Sequence, residues 1–211
     1  MIRERIRKLH KKGRRTNGGF TLVELIISIA ILSMVIATAC AFMVFGAKSF
    51  FAVNERVELS YSSGQALSQI SEKVINSNGM IIYKKDPGSA DFKLYLIQTT
   101  AWDSALKPSL YKISCYTYDH SAGTISYKES GEAAFGVGTG EDDIAFGTEH
   151  VLCSNIVGAS LTANPSNHKL YGLNIALNLE KKDKKYNAKR DISPRNHPVY
   201  AERFDDPFLW K

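Results

Sequence analysis

Hydrophobic and polar positions divide the 211-residue chain into stretches of different period. Residues 1–19 have few apolar positions. From Leu25 to Ala47 come 23 residues with neither a formal charge nor a proline, mostly Ile, Leu, Val, Met, Ala and Phe. At about 1.5 Å per residue they span roughly 35 Å as a helix, enough for a hydrocarbon core of about 30 Å. No polar stripe at helical spacing interrupts them, so residues 20–47 read as a membrane-embedded helix rather than a soluble core helix. Residues 53–76 then place Val53, Val57, Tyr61, Gly64, Leu67, Ile70 and Val74 three and four apart. That pattern predicts an amphipathic continuation whose apolar stripe packs on a globular head. "NSNG" at 76–79 ends the helix, with Gly79 as its cap. One helix from Phe20 to Asn76 would be roughly 85 Å long.

Beyond Gly79 the period becomes two. In "LYGLNIALNL", 170–179, Tyr171, Leu173, Ile175, Leu177 and Leu179 share one face, and Gly172, Asn174, Ala176 and Asn178 the other. This is a half-buried strand of a sheet covered on one side. "SLYKISCYTYDHSAGTISYKES" reads as a hairpin turning near Ser121–Gly123. "MIIYK", "FKLYLIQT" and "HVLCSNIVGASLT" supply further strands. Five or six strands after a long helix predict an α+β head, an antiparallel sheet packed on the amphipathic half-helix. The expected division is a leader over 1–19, a transmembrane or filament-core helix over 20–47, its amphipathic continuation over 48–78, a β-rich head over 79–196 and a tail over 197–211.

Charge changes the picture at the amino end. Residues 1–19 carry eight Lys or Arg and one acid, Glu4. Basic flanks stay cytoplasmic, so the amino end is inside and the head outside. Without the leader, 19 basic residues face 20 acids, and the net charge falls from +6 to −1. The basicity belongs to the leader and does not mark the head as a nucleic-acid binder.

Between leader and helix stands "GGFTLVELII", with the single acid Glu24 near the start of the apolar run. A carboxylate there is costly and implies a use. A basic leader, then "GFTLVE", then an apolar helix resembles the amino terminus of type IV prepilins and type II secretion pseudopilins. Gly19, Phe20 and Glu24 match that family's motif in type and spacing. The resemblance implies that a prepilin peptidase cuts after Gly19 and that the new amine on Phe20 is methylated. It also implies assembly with other pilin subunits through the helix, on an inner-membrane platform with an assembly ATPase. A cut before the apolar run leaves the helix on the mature chain, and glycine lets a protease approach the backbone closely. The long leader and the absence of an early proline in the helix depart from some members. The closing "HVLCSNIVGASLTANPSNHKLYGLNIALNLEKK" and "DISPRN", with Arg195 and Asn196 last, look like the end of J-type minor pseudopilins and competence-pilus minor pilins. This resemblance implies a minor, non-enzymatic subunit of a pilus, competence pilus or type II secretion pseudopilus. "RFDDPFLWK" fits no pattern.

Two other readings of the amino end remain open. "ATAC" at 37–40 has the small residues and cysteine of a lipoprotein signal, which would put a lipid on Cys40. Ala37 where such signals carry Leu, Glu24 inside the signal, and the apolar run past Cys40 all oppose it. The other is an uncleaved single-pass anchor on a binding module that never polymerises.

Enzyme chemistry finds little support. His10, His120, His150, His168 and His197 are scattered, none paired at metal-ligand spacing, and no nucleophile elbow or phosphate loop occurs. No cofactor or metal is expected. "GVGTGEDDIAFG", 136–147, groups Glu141, Asp142 and Asp143. Calcium would suit such acids, but the spacing is not that of an EF-hand, and a solvated loop is the simpler reading. "EKKDKKYNAKR", 180–190, holds six Lys or Arg with Tyr186. Contact with DNA is conceivable in a competence pilus, but Glu180 and Asp183 interrupt the run, and a solvated loop is again simpler. Cys115 and Cys153 lie in predicted outer strands and are candidates for a disulfide, which strand phase alone leaves open. Cys40 lies in the membrane segment.

Overall fold

The computed structural model describes residues 19–84, 89–105, 107–182 and 184–210. The expected leader, apart from Gly19, lies outside them, as do Asp183 and Lys211. One helix, α1 (Leu22–Ile75), is followed by nine strands: β1 (Gly79–Tyr83), β2 (Phe92–Trp102), β3 (Pro108–Asp119), β4 (Thr124–Glu129), β5 (His150–Cys153), β6 (Ile156–Ser166), β7 (Lys169–Lys181), β8 (Lys184–Ile192) and β9 (Val199–Ala201). The chain is α+β, as expected. Its contacts separate residues 1–50 from residues 51–211, the second unit containing the last part of α1 and the whole sheet.

The sheet order is β5-β4-β3-β2-β1-β9-β7-β6, with β8 also paired to β7. Every pairing is antiparallel except β1 with β9, which is parallel, so the expected antiparallel sheet is in fact mixed. Two strands had no counterpart in the reading of the sequence. The basic run 180–190 is the β7–β8 hairpin, and residues 199–201 of the expected tail form β9, the link between the two halves of the sheet. "HVLCSNIVGASLT" is two strands, because Asn155 takes a left-handed backbone (φ 63°) between β5 and β6. The β3–β4 hairpin turns where expected, with Gly123 at φ +62° and no room for a Cβ, which would meet the Ile156 carbonyl oxygen at 2.9 Å.

One face of the sheet packs on α1. Leu59, Ser63, Ala66, Leu67, Ile70, Ser71 and Val74 are buried on the helix. Met80, Leu94, Leu96, Tyr116, Leu173, Ile175, Leu177 and Leu179 meet them in one cluster. Strand β7 therefore faces inward with the residues its alternation indicates, apart from Tyr171. The β6–β7 register steps from Asn164↔Gly172 to Pro165↔Leu170, a bulge that skips Tyr171. Leu170 takes the buried place and Tyr171 stays exposed.

The expected stripe on α1 divides. Leu67, Ile70 and Val74 are buried, but Val53, Val57 and Tyr61 are 62%, 58% and 66% exposed, and a Cβ on Gly64 would meet nothing within 4 Å. The reason is helical phase. Each step of four residues overshoots a full turn by about 40° and each step of three falls short by about 60°. The 53-57-61 steps and the 64-67-70 steps thus rotate in opposite senses and end on different faces.

The sheet's other face is covered over β1–β3, contrary to the one-sided expectation. Ile81, Tyr95, Ile97, Tyr111, Ile113 and Cys115 are buried there beneath Ile144, Leu209, Phe204 and Trp210. The acidic glycine-rich loop is thus not simply solvated. Glu141 pairs with Lys93 at 2.5 Å, Asp143 Oδ2 accepts the Gly140 N–H at 2.7 Å, and Ile144 is buried. Gly79 does not cap the helix; it opens β1. A Cβ there would come within 3.3 Å of Leu209, so its small size serves the approach of the tail.

Cys115 and Cys153 are free thiols, so the disulfide is not formed. Strand phase puts Cys115 on the tail-covered face and Cys153 on the helix face, in separate apolar clusters. Burial pushes both thiols up, away from the reactive thiolate. The basic hairpin is largely occupied as well. Lys181 pairs with Glu58 at 2.7 Å and Lys182 with Glu55 at 2.8 Å, and the Ser60 hydroxyl donates to Tyr186. Tyr186, the one ring of that run suited to stacking on a base, is thus held against α1. Near the other end of α1, burial raises the Glu129 carboxyl, but hydrogen bonds from Lys112 and Lys73 outweigh it and hold the group at about 2. These ion pairs tie α1 to β3 and β4.

Candidate functional site

The candidate site is the amino-terminal segment from Gly19 to the first turns of α1. Every residue from Gly19 to Phe51 is exposed. Fifteen large apolar side chains between Leu22 and Phe45 are exposed, with no covering layer among the described residues. At about 1.5–3 kcal/mol per buried large apolar side chain, covering them is worth on the order of 20–40 kcal/mol. Such a helix requires lipid or neighbouring helices. By length and composition the helix is long and apolar enough to cross a membrane.

Among the described residues, a Cβ on Gly19 would meet nothing within 4 Å, so none of them requires glycine there. Phe20 beside it is 82% exposed.

Glu24 is held locally. Its Oε2 accepts the Thr21 N–H at 2.9 Å and the Thr21 hydroxyl at 3.0 Å, while its own N–H donates to Thr21 Oγ1 at 3.2 Å. The Leu25 N–H donates to the Thr21 carbonyl at 3.1 Å. Thr21 is therefore the N-cap and Glu24 the third helical residue, a reciprocal capping box that satisfies two of the helix's orphan donors. The acid also sits at the positive end of the helix dipole. Threonine three residues before glutamate, ahead of an apolar run, is a known signature of a helix start; the part played by Thr21 was legible in "TLVE" and was missed.

Residues 14–39 match the prokaryotic N-terminal methylation motif. The match spans Gly19, Phe20, Thr21 and Glu24, and stops within the apolar helix. The methylation motif supports a type IV pilin-like precursor, anchored in a membrane by its helix and processed by prepilin peptidase. No curated protein and no solved structure matches the chain. The head, residues 51–211, thus stands on its own geometry.

Proposed function

We propose that the chain is a minor pilin or pseudopilin, a non-enzymatic subunit of a type IV pilus-like filament. It is cut after Gly19 and methylated on Phe20, and its head lies outside the membrane. It assembles with other pilin subunits on an inner-membrane platform, and Glu24 fixes the register between subunits. The observation that carries this reading is the methylation motif on a helix whose apolar side chains are exposed among the described residues. A second supports it. The exposed line Val53–Val57–Tyr61, with open space at Gly64 among the described residues, is an apolar surface on a part of α1 whose other face packs on the sheet. Exposed apolar patches of this kind mark contact surfaces.

Charging that line tests assembly without touching the head's core. Val57→Asp and Tyr61→Asp should fold as well as the parent, since exposed substitutions stay within about 0.5 kcal/mol. Both should be recovered poorly in sheared filaments while their total cellular amount is unchanged. Wild-type recovery of both variants would mean that this line faces solvent and does not contribute to a subunit interface.

A further inference from the structure

One cleft in the head is lined by no residue of α1. It is a cleft of about 800 Å³ between the β6–β7 turn and the strap that follows β9. The turn is Asn167–His168, both left-handed (φ 49° and 58°), the backbone of a two-residue type I′ hairpin. Such a turn normally takes Asn and Gly; a histidine at its second position carries strain. What the strained position achieves is visible in its contacts. The His168 ring stacks on Phe208, centroids 4.3 Å apart and planes 19° from parallel. The turn is also fastened to the strap, because the Tyr200 N–H donates to the His168 carbonyl at 2.9 Å. The result is a rigid, flat aromatic pair in the wall of an open cleft.

The polar groups around it are of both signs. Glu202, Arg203, Asp205 and Asp206 line the cleft; Asp206 Oδ1 accepts the Phe208 N–H at 2.9 Å, and among the described residues the side chains of the other three make no hydrogen bond or ion pair. This contrasts with Glu55, Glu58, Glu129 and Glu141, all engaged by lysines. Carboxylates accept hydrogen bonds and a guanidinium donates several in a fixed fork. A ligand satisfied by both is one whose groups each donate and accept, as hydroxyls do. A flat ring surface adds an apolar platform for a face of C–H groups. A cleft of this size and mixed lining falls in the range of small-ligand sites.

We propose that the cleft between the Asn167–His168 turn and the 200–208 strap binds a neutral saccharide, a hexose or N-acetylhexosamine unit lying on the His168–Phe208 pair with its hydroxyls against Glu202, Arg203 and Asp205. The assignment concerns the head alone and holds whether or not the chain enters a filament. A cationic peptide is the competing ligand, drawn by the three carboxylates, but it would leave the donors of Arg203 unsatisfied and make no use of the aromatic pair.

The test uses the full chain in detergent micelles, with chitobiose, cellobiose and lactose as probes and pentalysine as competitor. Saturation-transfer NMR should show saturable binding of at least one disaccharide that excess pentalysine does not displace. Phe208→Ala should weaken it by about tenfold, the effect expected for losing one aromatic contact of about 1.4 kcal/mol. Glu202→Gln with Asp205→Asn, two exposed changes that leave the aromatic pair intact, should weaken it by a similar factor and carries the test if Phe208→Ala loses its thermal transition. Absence of saturable binding by all three disaccharides overturns the proposal. So does displacement by pentalysine, or unchanged binding in the folded variants.

Discussion

Glu24→Ala is expected to leave cleavage after Gly19 nearly intact while removing the chain from filaments. Passing from a bilayer to a bundle of helices exchanges one apolar environment for another, so residues 25–47 gain little by the move. Something polar is needed to fix register. A cut after Gly19 creates an amine on Phe20, and an acid and an amine in an apolar core are each costly alone and largely compensated together. The capping box sharpens the experiment, because in a single chain Glu24 is already engaged by Thr21. Alanine removes both the charge and the box. Glutamine keeps the box, since the amide also serves at the third helical position, and removes only the charge. If register depends on the charge, Glu24→Gln fails in filaments as alanine does, while both are processed. If Glu24→Gln assembles like the parent, the acid's role is to start the helix, and pairing with a neighbour's amine is wrong. The readouts are the size of the processed chain and its share of the sheared filament fraction.

Truncation after Pro198 should unfold the head. The removed segment includes β9, whose three residues pair with β1 over Gly79–Ile81 and with β7 at Lys169. Among the described residues no other strand joins the two halves of the sheet. It also includes the cover of the sheet's second face. Phe204 meets Tyr95 edge-on at 4.8 Å and Trp210 meets Tyr111 at 5.2 Å, while the Trp210 indole N–H donates to the Phe204 carbonyl at 2.9 Å. Phe204 and Trp210 are partly buried, so each costs less than the about 3–5 kcal/mol of a fully buried aromatic, but a domain's total stability is only about 5–15 kcal/mol. Removing two aromatic anchors, Leu209 and the bridging strand together should exceed what the head can lose. The truncated chain should show no cooperative thermal transition and should be digested by trypsin at concentrations the full chain resists. A preserved transition would show that the last thirteen residues are dispensable decoration.

The contrast between this tail and α1 shows what the sequence could and could not disclose. Long elements with a strict period were legible: the apolar run, the alternation of 173–179 and the turn at Gly123 each follow from local chemistry. The tail was not, because its anchors Phe204, Leu209 and Trp210 occupy irregular turns with no period to detect. Strand β9 is three residues long and is made a strand by its neighbours rather than by its own pattern. For Val53, Val57 and Tyr61 the apolar character was plain, but periodicity does not say which of two apolar faces meets the chain's own head. The β7–β8 hairpin was hidden by its lysines, whose charge reads as solvated until Glu55 and Glu58 of α1 are seen opposite them. At the amino end the resemblance pointed to Gly19, Phe20 and Glu24, which lie within the matched residues 14–39, and among the described residues a Cβ on Gly19 would meet nothing within 4 Å.

The most direct test of the account is the mass of the amino-terminal peptide of the mature chain, recovered from the membrane or filament fraction. The expected peptide begins at Phe20 and is heavier than its unmodified sequence by one methyl group. A peptide that still carries residues before Phe20, or one that begins at a lipid-bearing Cys40, would contradict both the cleavage site and the filament model.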